Sequence, residues 1–165
     1  MDYNSAEDLI KSLVGKAPWD VLLGAGSVLT LEFGVRDPRQ SAFRIHGEWR
    51  LWLYECAWRL ESGHSIITGS QHERSLASNA VKRIWRVEIA DVVLTRPSLN
   101  LTVIFQNQCK LRTFSATSSE DHYCDQWVLF TPKLITVAAR GDHLVTEPYG
   151  HLVNPKTSGP DNVAS

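Results

Sequence analysis

The chain has 165 residues, 43% of them hydrophobic and 21% charged, which suits one domain with an ordinary core and excludes a disordered or fibrous polypeptide. Its formal net charge of -1 gives no global field for nucleic acid or an anionic membrane, so either would need a local patch. No apolar run reaches the ~18 residues of a spanning helix. The acidic start, with Asp2, Glu7 and Asp8, is unlike a secretory leader, and the expectation is a cytoplasmic protein.

The first element reads as a helix. Asn4 or Ser5 can cap it, Leu9, Ile10, Leu13 and Val14 form one apolar stripe, and Gly15 and Pro18 close it. Gly24, Ala25 and Gly26 form a turn rather than a phosphate loop, since neither glycine-rich nucleotide motif is completed. Leu29, Leu31 and Phe33 then alternate with Thr30 and Glu32, as in a strand with one buried side. Residues 48–61 are the most apolar stretch, and the buried face swaps between Trp52 and Tyr54, which predicts a bulge or sharp bend there. A short strand at 65–68 and a weak helical turn at 73–79 follow. Trp85, Val87, Ile89 and Val93 fit a strand. Leu99, Leu101, Val103 and Phe105 give the cleanest strand of the chain, turned by Asn107 into another at 109–114. Beyond a polar loop at 115–125 come strands at 126–130, 134–139 and 143–146. One domain is expected over 1–147, with halves at about 19–70 and 80–147 and a flexible tail at 148–165.

The halves echo each other. Leu29-Thr30-Leu31-Glu32-Phe33 answers to Leu101-Thr102-Val103-Ile104-Phe105, and each is followed by a Trp-x-Leu segment, Trp58 and Leu60 in the first half and Trp127 and Leu129 in the second. Each half has strands with one apolar face and cannot bury that face alone. The expected architecture is α+β and mostly β, an N-terminal helix followed by two related antiparallel halves packed as a sandwich or a barrel-like sheet. The pattern resembles a group of uncharacterised bacterial two-repeat β domains, immunity-protein-like, and departs from it at Gln106 to Gln108, where that pattern has glycine. The resemblance implies an inhibitor that binds a partner toxin, and carries over no catalytic residues.

The densest chemical cluster is the loop containing Glu120, Asp121, His122, Tyr123, Cys124 and Asp125. His122, Cys124 and Asp125 are candidate metal ligands, although adjacent ligands need distant partners to complete a shell and Cys109 is the remaining candidate. Three cysteines without a C-x-x-C pair signal neither a disulfide framework nor a zinc knuckle. Ser70 and His72 have the parts of a nucleophilic site without its elbow motif. Lys82, Arg83 and Arg86 surround Trp85 without forming one basic face, and nucleic acid is not favoured as a partner. Trp58 and Trp127 are expected in the core, and Trp19, Trp49 and Trp52 at the surface.

The reading is a non-catalytic, cytoplasmic protein-binding module with no cofactor and no membrane contact. Its expected contact residues are Glu48, Arg50, Trp52, Glu120, Asp121 and Asp125, facing a protein such as a basic toxin or nuclease. Two alternatives compete: a small-ligand-binding barrel lined by Trp52, Tyr54 and Trp58, and a metal-dependent hydrolase centred on His122 and Cys124.

Overall fold

The structure, a computed structural model, describes residues 3–36, 45–120 and 123–149. In chain order the elements are α1 (Tyr3–Lys11), β1 (Asp20–Leu23), β2 (Leu29–Arg36), β3 (Gly47–Leu53), β4 (Ala57–Ser62), β5 (Ser65–Gly69) and α2 (Arg74–Ala80). A 3-10 turn, Val81–Ile84, leads to β6 (Ile89–Thr95), β7 (Asn100–Phe105), β8 (Cys109–Phe114), β9 (Asp125–Phe130), β10 (Ile135–Arg140) and β11 (His143–Pro148).

Two antiparallel sheets result, one ordered β1-β2-β3-β9-β10-β11 and the other β5-β4-β8-β7-β6. They pack as a sandwich and do not close into a barrel. Leu29, Leu31 and Phe33 from β2, Leu51 and Leu53 from β3, and Trp127 and Leu129 from β9 face Trp58, Leu60, Leu101, Val103, Phe105 and Leu111 of the other sheet in one core. The helices cover the two flanks: α1 packs near β6, β10 and β11, and α2 near β5 and β1. Glu73 caps α2, its carboxylate accepting from the Ser75 hydroxyl and from the backbone N–H groups of Ser75 and Leu76, and those bonds, the hydroxyl's first, lower its pKa to about 2.

Exchanging the halves maps one sheet order onto the other. Strands β1, β2 and β3 with β9 and β10 answer to β6, β7 and β8 with β4 and β5, and β11 is the extra strand. The registers agree: Leu51 pairs with Leu31 and Leu129, and Leu111 pairs with Val103 and Leu60. Backbone hydrogen bonds tie the segment before β1 to the start of β6 and the residues before it: Gly15 N–H to the Ile89 carbonyl at 2.8 Å, Ile89 N–H to the Lys16 carbonyl at 2.9 Å and Arg86 N–H to the Pro18 carbonyl at 2.7 Å.

Several expectations are corrected. The helix begins at Tyr3, so Asn4 and Ser5 lie inside it. Strand β1 had no signal in the sequence reading, and Trp85 and Val87 precede β6 instead of belonging to it. Segment 48–61 is not one strand: the expected sharp bend is present at residues 54–56, and it carries the chain from β3 in one sheet to β4 in the other. That crossing produces the swap of buried face. Trp49, expected outside, is only 9% exposed and belongs to the core, as Trp58 and Trp127 do. Trp52, Tyr54 and Trp58 line no common cavity, because Trp58 points inward while Tyr54 is 48% exposed. At the tail, β11 runs to Pro148 and Tyr149 is hydrogen-bonded, whereas residues 150–165 lie outside the described residues.

Candidate functional site

The outer face of the six-stranded sheet gathers the chemistry. On β2 and β3 the residues that alternate with the core, Glu32, Arg50 and Trp52, point away from it, and across the β3-β9 ladder Arg50 pairs with Phe130. Arg50 is nevertheless only 6% exposed. Its guanidinium carbon lies 4.2 Å from the centre of the Phe130 ring, 5.3 Å from that of Tyr149 and 5.9 Å from that of Trp52. The rings pack on each other, Trp52 against Phe130 at 4.9 Å and Phe130 against Tyr149 at 5.1 Å and 90°. Tyr149 is fixed by its hydroxyl, which donates to the Thr131 carbonyl at 2.9 Å.

Next to this cluster stands Glu32, 1% exposed and paired in register with Arg50. Its two oxygens are taken, one by His46 Nδ1 at 2.8 Å and the other by the Gly47 backbone N–H at 2.8 Å. Burial raises the Glu32 pKa above the ordinary carboxylate value, and the bonds to His46 and Gly47 and the charges of His46 and Arg50 offset part of that rise. Gly47 is required for this arrangement, because a side-chain carbon there would run into the backbone carbonyl of Phe33.

Two buried donors in this cluster have no acceptor among the described residues: Arg50 Nε and Trp52 Nε1. The core tryptophans differ, Trp58 Nε1 donating to the Ser27 carbonyl at 2.6 Å and Trp127 Nε1 to that of Leu99 at 2.8 Å. Trp19 Nε1 and Gln126 Oε1 are also without a partner among the described residues, but only Arg50 and Trp52 lie together in one aromatic cluster.

The described carboxylate at the end of the acidic loop, Asp125, does not join this surface. Tyr54 and Glu55 N–H groups donate to the Gln126 and Asp125 carbonyls, so Asp125 lies at the far end of β3 from Glu48. The Asp125 carboxylate is held by Arg140 Nε at 2.5 Å, and the same guanidinium makes two bonds to Glu147, at 2.8 and 3.1 Å. Those bonds lower the Glu147 pKa and raise that of Arg140. Glu120 is exposed, while Asp121 and His122 lie outside the described residues. Cys124 precedes β9, but Cys109 starts β8, whose opposite end, Phe114, leads into the loop, so the two cysteines are a strand length apart. Among the described residues no three His, Cys, Asp or Glu side chains are grouped to hold a metal ion.

Ser70 and His72 do not form a nucleophile pair. Ser70 Oγ accepts from the Trp58 backbone N–H at 3.2 Å, and His72 Nδ1 meets Thr68 Oγ1 at 3.0 Å. They border a groove of about 540 Å³ on the other sheet, where Ile66 is 65% exposed and Arg59 stacks over Phe114 at 4.8 Å. Arg86 likewise stacks on Trp85, at 4.4 Å, and Trp85 Nε1 donates to the Trp19 carbonyl.

Of the expected contact residues, Glu48, Arg50 and Trp52 share one strand face. Glu32, His46, Phe130 and Tyr149 join Arg50 and Trp52 there, and sequence reasoning missed all four. The available signal was a carboxylate at 32 between two core residues, which an ordinary half-buried strand would leave in solvent. No helix of the described residues is long and apolar enough to cross a membrane. Comparison of the chain with protein families, with curated proteins and with solved structures found no match to it.

Proposed function

We propose that the protein is a non-catalytic binding module, acting in the cytoplasm by contact with another protein through the outer face around Arg50, Trp52, Phe130 and Tyr149. One observation carries this reading: half-buried aromatic rings packed around a buried guanidinium, with two donors left unpaired. Trp, Tyr and Arg are the residue types that dominate interface hot spots, where a ring supplies contact area at little entropic cost and a guanidinium supplies directional bonds. An immunity-type inhibitor of a toxin is the form of this function that the family resemblance favours. In that form, exposed Glu120 would give a basic toxin or nuclease a second contact away from this face, Asp125 being already neutralised by Arg140.

The test is capture on immobilised protein from lysate of the source organism, in parallel with a Trp52→Ala, Tyr149→Ala double variant of unchanged circular dichroism. The expected result is one stoichiometric protein retained by the native chain and lost from the variant. Equal retention by both, or a small molecule alone on native mass analysis, would count against this face as a protein contact.

A further inference from the structure

Arg50 and Trp52 stand two positions apart on β3, so their side chains leave the same face of the sheet. Each presents a buried N–H with no acceptor among the described residues, and a buried donor left unpaired destabilises whatever conformation holds it. The natural internal acceptor is Glu32, the cross-strand neighbour of Arg50. Both of its oxygens are engaged by His46 and Gly47, however, and the guanidinium receives charge compensation from it without a hydrogen bond. What the cluster lacks is an acceptor, and because neither donor atom is open to solvent in this structure, one arriving from outside must part the half-buried rings of Trp52, Phe130 and Tyr149 to reach them.

We infer that Arg50 and Trp52 form a seat for a carboxylate, delivered by an acidic side chain of the partner protein. The inference rests on the contact role proposed for this face. A planar carboxylate matches the fork of a guanidinium, and a second acceptor site on the same oxygens suits an indole N–H. The neighbouring Glu32 charge disfavours a dianion such as phosphate more strongly than a monoanion. Aromatic walls suit the methylene stem of a glutamate, and they exclude water from the bond once it forms.

The seat is tested by following the ¹⁵N-labelled side-chain N–H signals of Arg50 and Trp52 while sodium acetate is added, with sodium chloride at matched ionic strength as reference. The indole signals of Trp58 and Trp127, tied to backbone carbonyls, serve as internal controls. Capped glutamate dipeptide and its glutamine analogue form a second arm, and inorganic phosphate a third. The expected result is a saturable shift of both signals with acetate and with the glutamate peptide, none with the glutamine peptide, and still controls. Arg50→Met should abolish the saturable response of Trp52, and Trp52→Phe should weaken binding by up to about tenfold, the scale of one hydrogen bond. Should Arg50→Met fail to fold, Arg50→Lys keeps the charge without the fork and should weaken binding too.

Drift identical to that in chloride, saturation by phosphate but not acetate, or an unchanged response in a folded Arg50 variant would overturn the seat. A response to acetate but not to the glutamate peptide would overturn the partner side chain as its source. A partner captured by this face without any carboxylate response would remove the seat and leave the contact role standing.

Discussion

Trp52, Trp58 and Trp127 carry the same indole in two hydrogen-bonding states, which makes them a controlled set. Replacing Trp58 or Trp127 by Phe leaves the Ser27 or Leu99 carbonyl without its donor, at a cost of about 1 to 3 kcal/mol in addition to lost packing. Trp52→Phe removes a donor that has no acceptor, so the loss should stay within about 0.5 kcal/mol. Urea denaturation of the three variants checks the contrast. Glu32 gives a second residue-scale prediction. Its folded pKa is raised, so its contribution to stability is full below the ordinary carboxylate pKa and is lost as pH rises through the raised value. Glu32→Gln, which keeps an acceptor for the Gly47 N–H, should therefore gain stability relative to the native chain as pH rises from 4 to 8. Denaturation midpoints that move the other way would show that attraction to Arg50 outweighs burial.

Elements of this chain are set by alternation, and alternation was enough to locate most strands. Leu101, Val103 and Phe105 marked β7, and the turn at Asn107 marked β8 after it. Strand β1 escaped because Asp20–Leu23 is too short to display a period, and it exists through its ladder with β2. The pattern at 48–61 recorded a real event, the change of buried face. A linear pattern cannot tell a bend within one sheet from a step into another, since that distinction depends on which distant strands are met, here β9 by β3 and β8 by β4. The candidate site was half legible for a related reason. Arg50 and Trp52 stood out on the polar side of β3, while Phe130 and Tyr149 reach them only through sheet pairing and β11. Glycine distinguishes two element joints. Gly47→Ala drives a carbon into the Phe33 backbone and should cost about 3 kcal/mol, whereas Gly63→Ala, at φ +57 with open space around it, should cost about 1 kcal/mol of backbone strain. Thermal unfolding of both variants would check the ranking.

At the scale of the whole molecule, neither half builds a sheet from its own strands. Strand β3 of the first half needs β9 of the second, β8 of the second needs β4 of the first, and the backbone bonds of Gly15, Ile89 and Arg86 tie the two starts together. Fragments 1–72 and 73–165 should each lack the dispersed NMR spectrum of a folded sheet and recover it when mixed. A fragment that folds alone would show that the sheets are less interdependent than their strand order implies. The same construction creates the outer face on which Arg50 sits, since its partner ring, Phe130, comes from the other half. The central claim is that this face, and not the groove beside Ile66, carries the contact. Titration calorimetry of the captured partner against Trp52→Ala and Ile66→Asp decides it most directly. The account predicts that Trp52→Ala weakens binding at least about thirtyfold, the scale of a hot spot, while Ile66→Asp changes it by less than about threefold. Full affinity in Trp52→Ala with a large loss in Ile66→Asp would contradict it and place the contact on the opposite sheet.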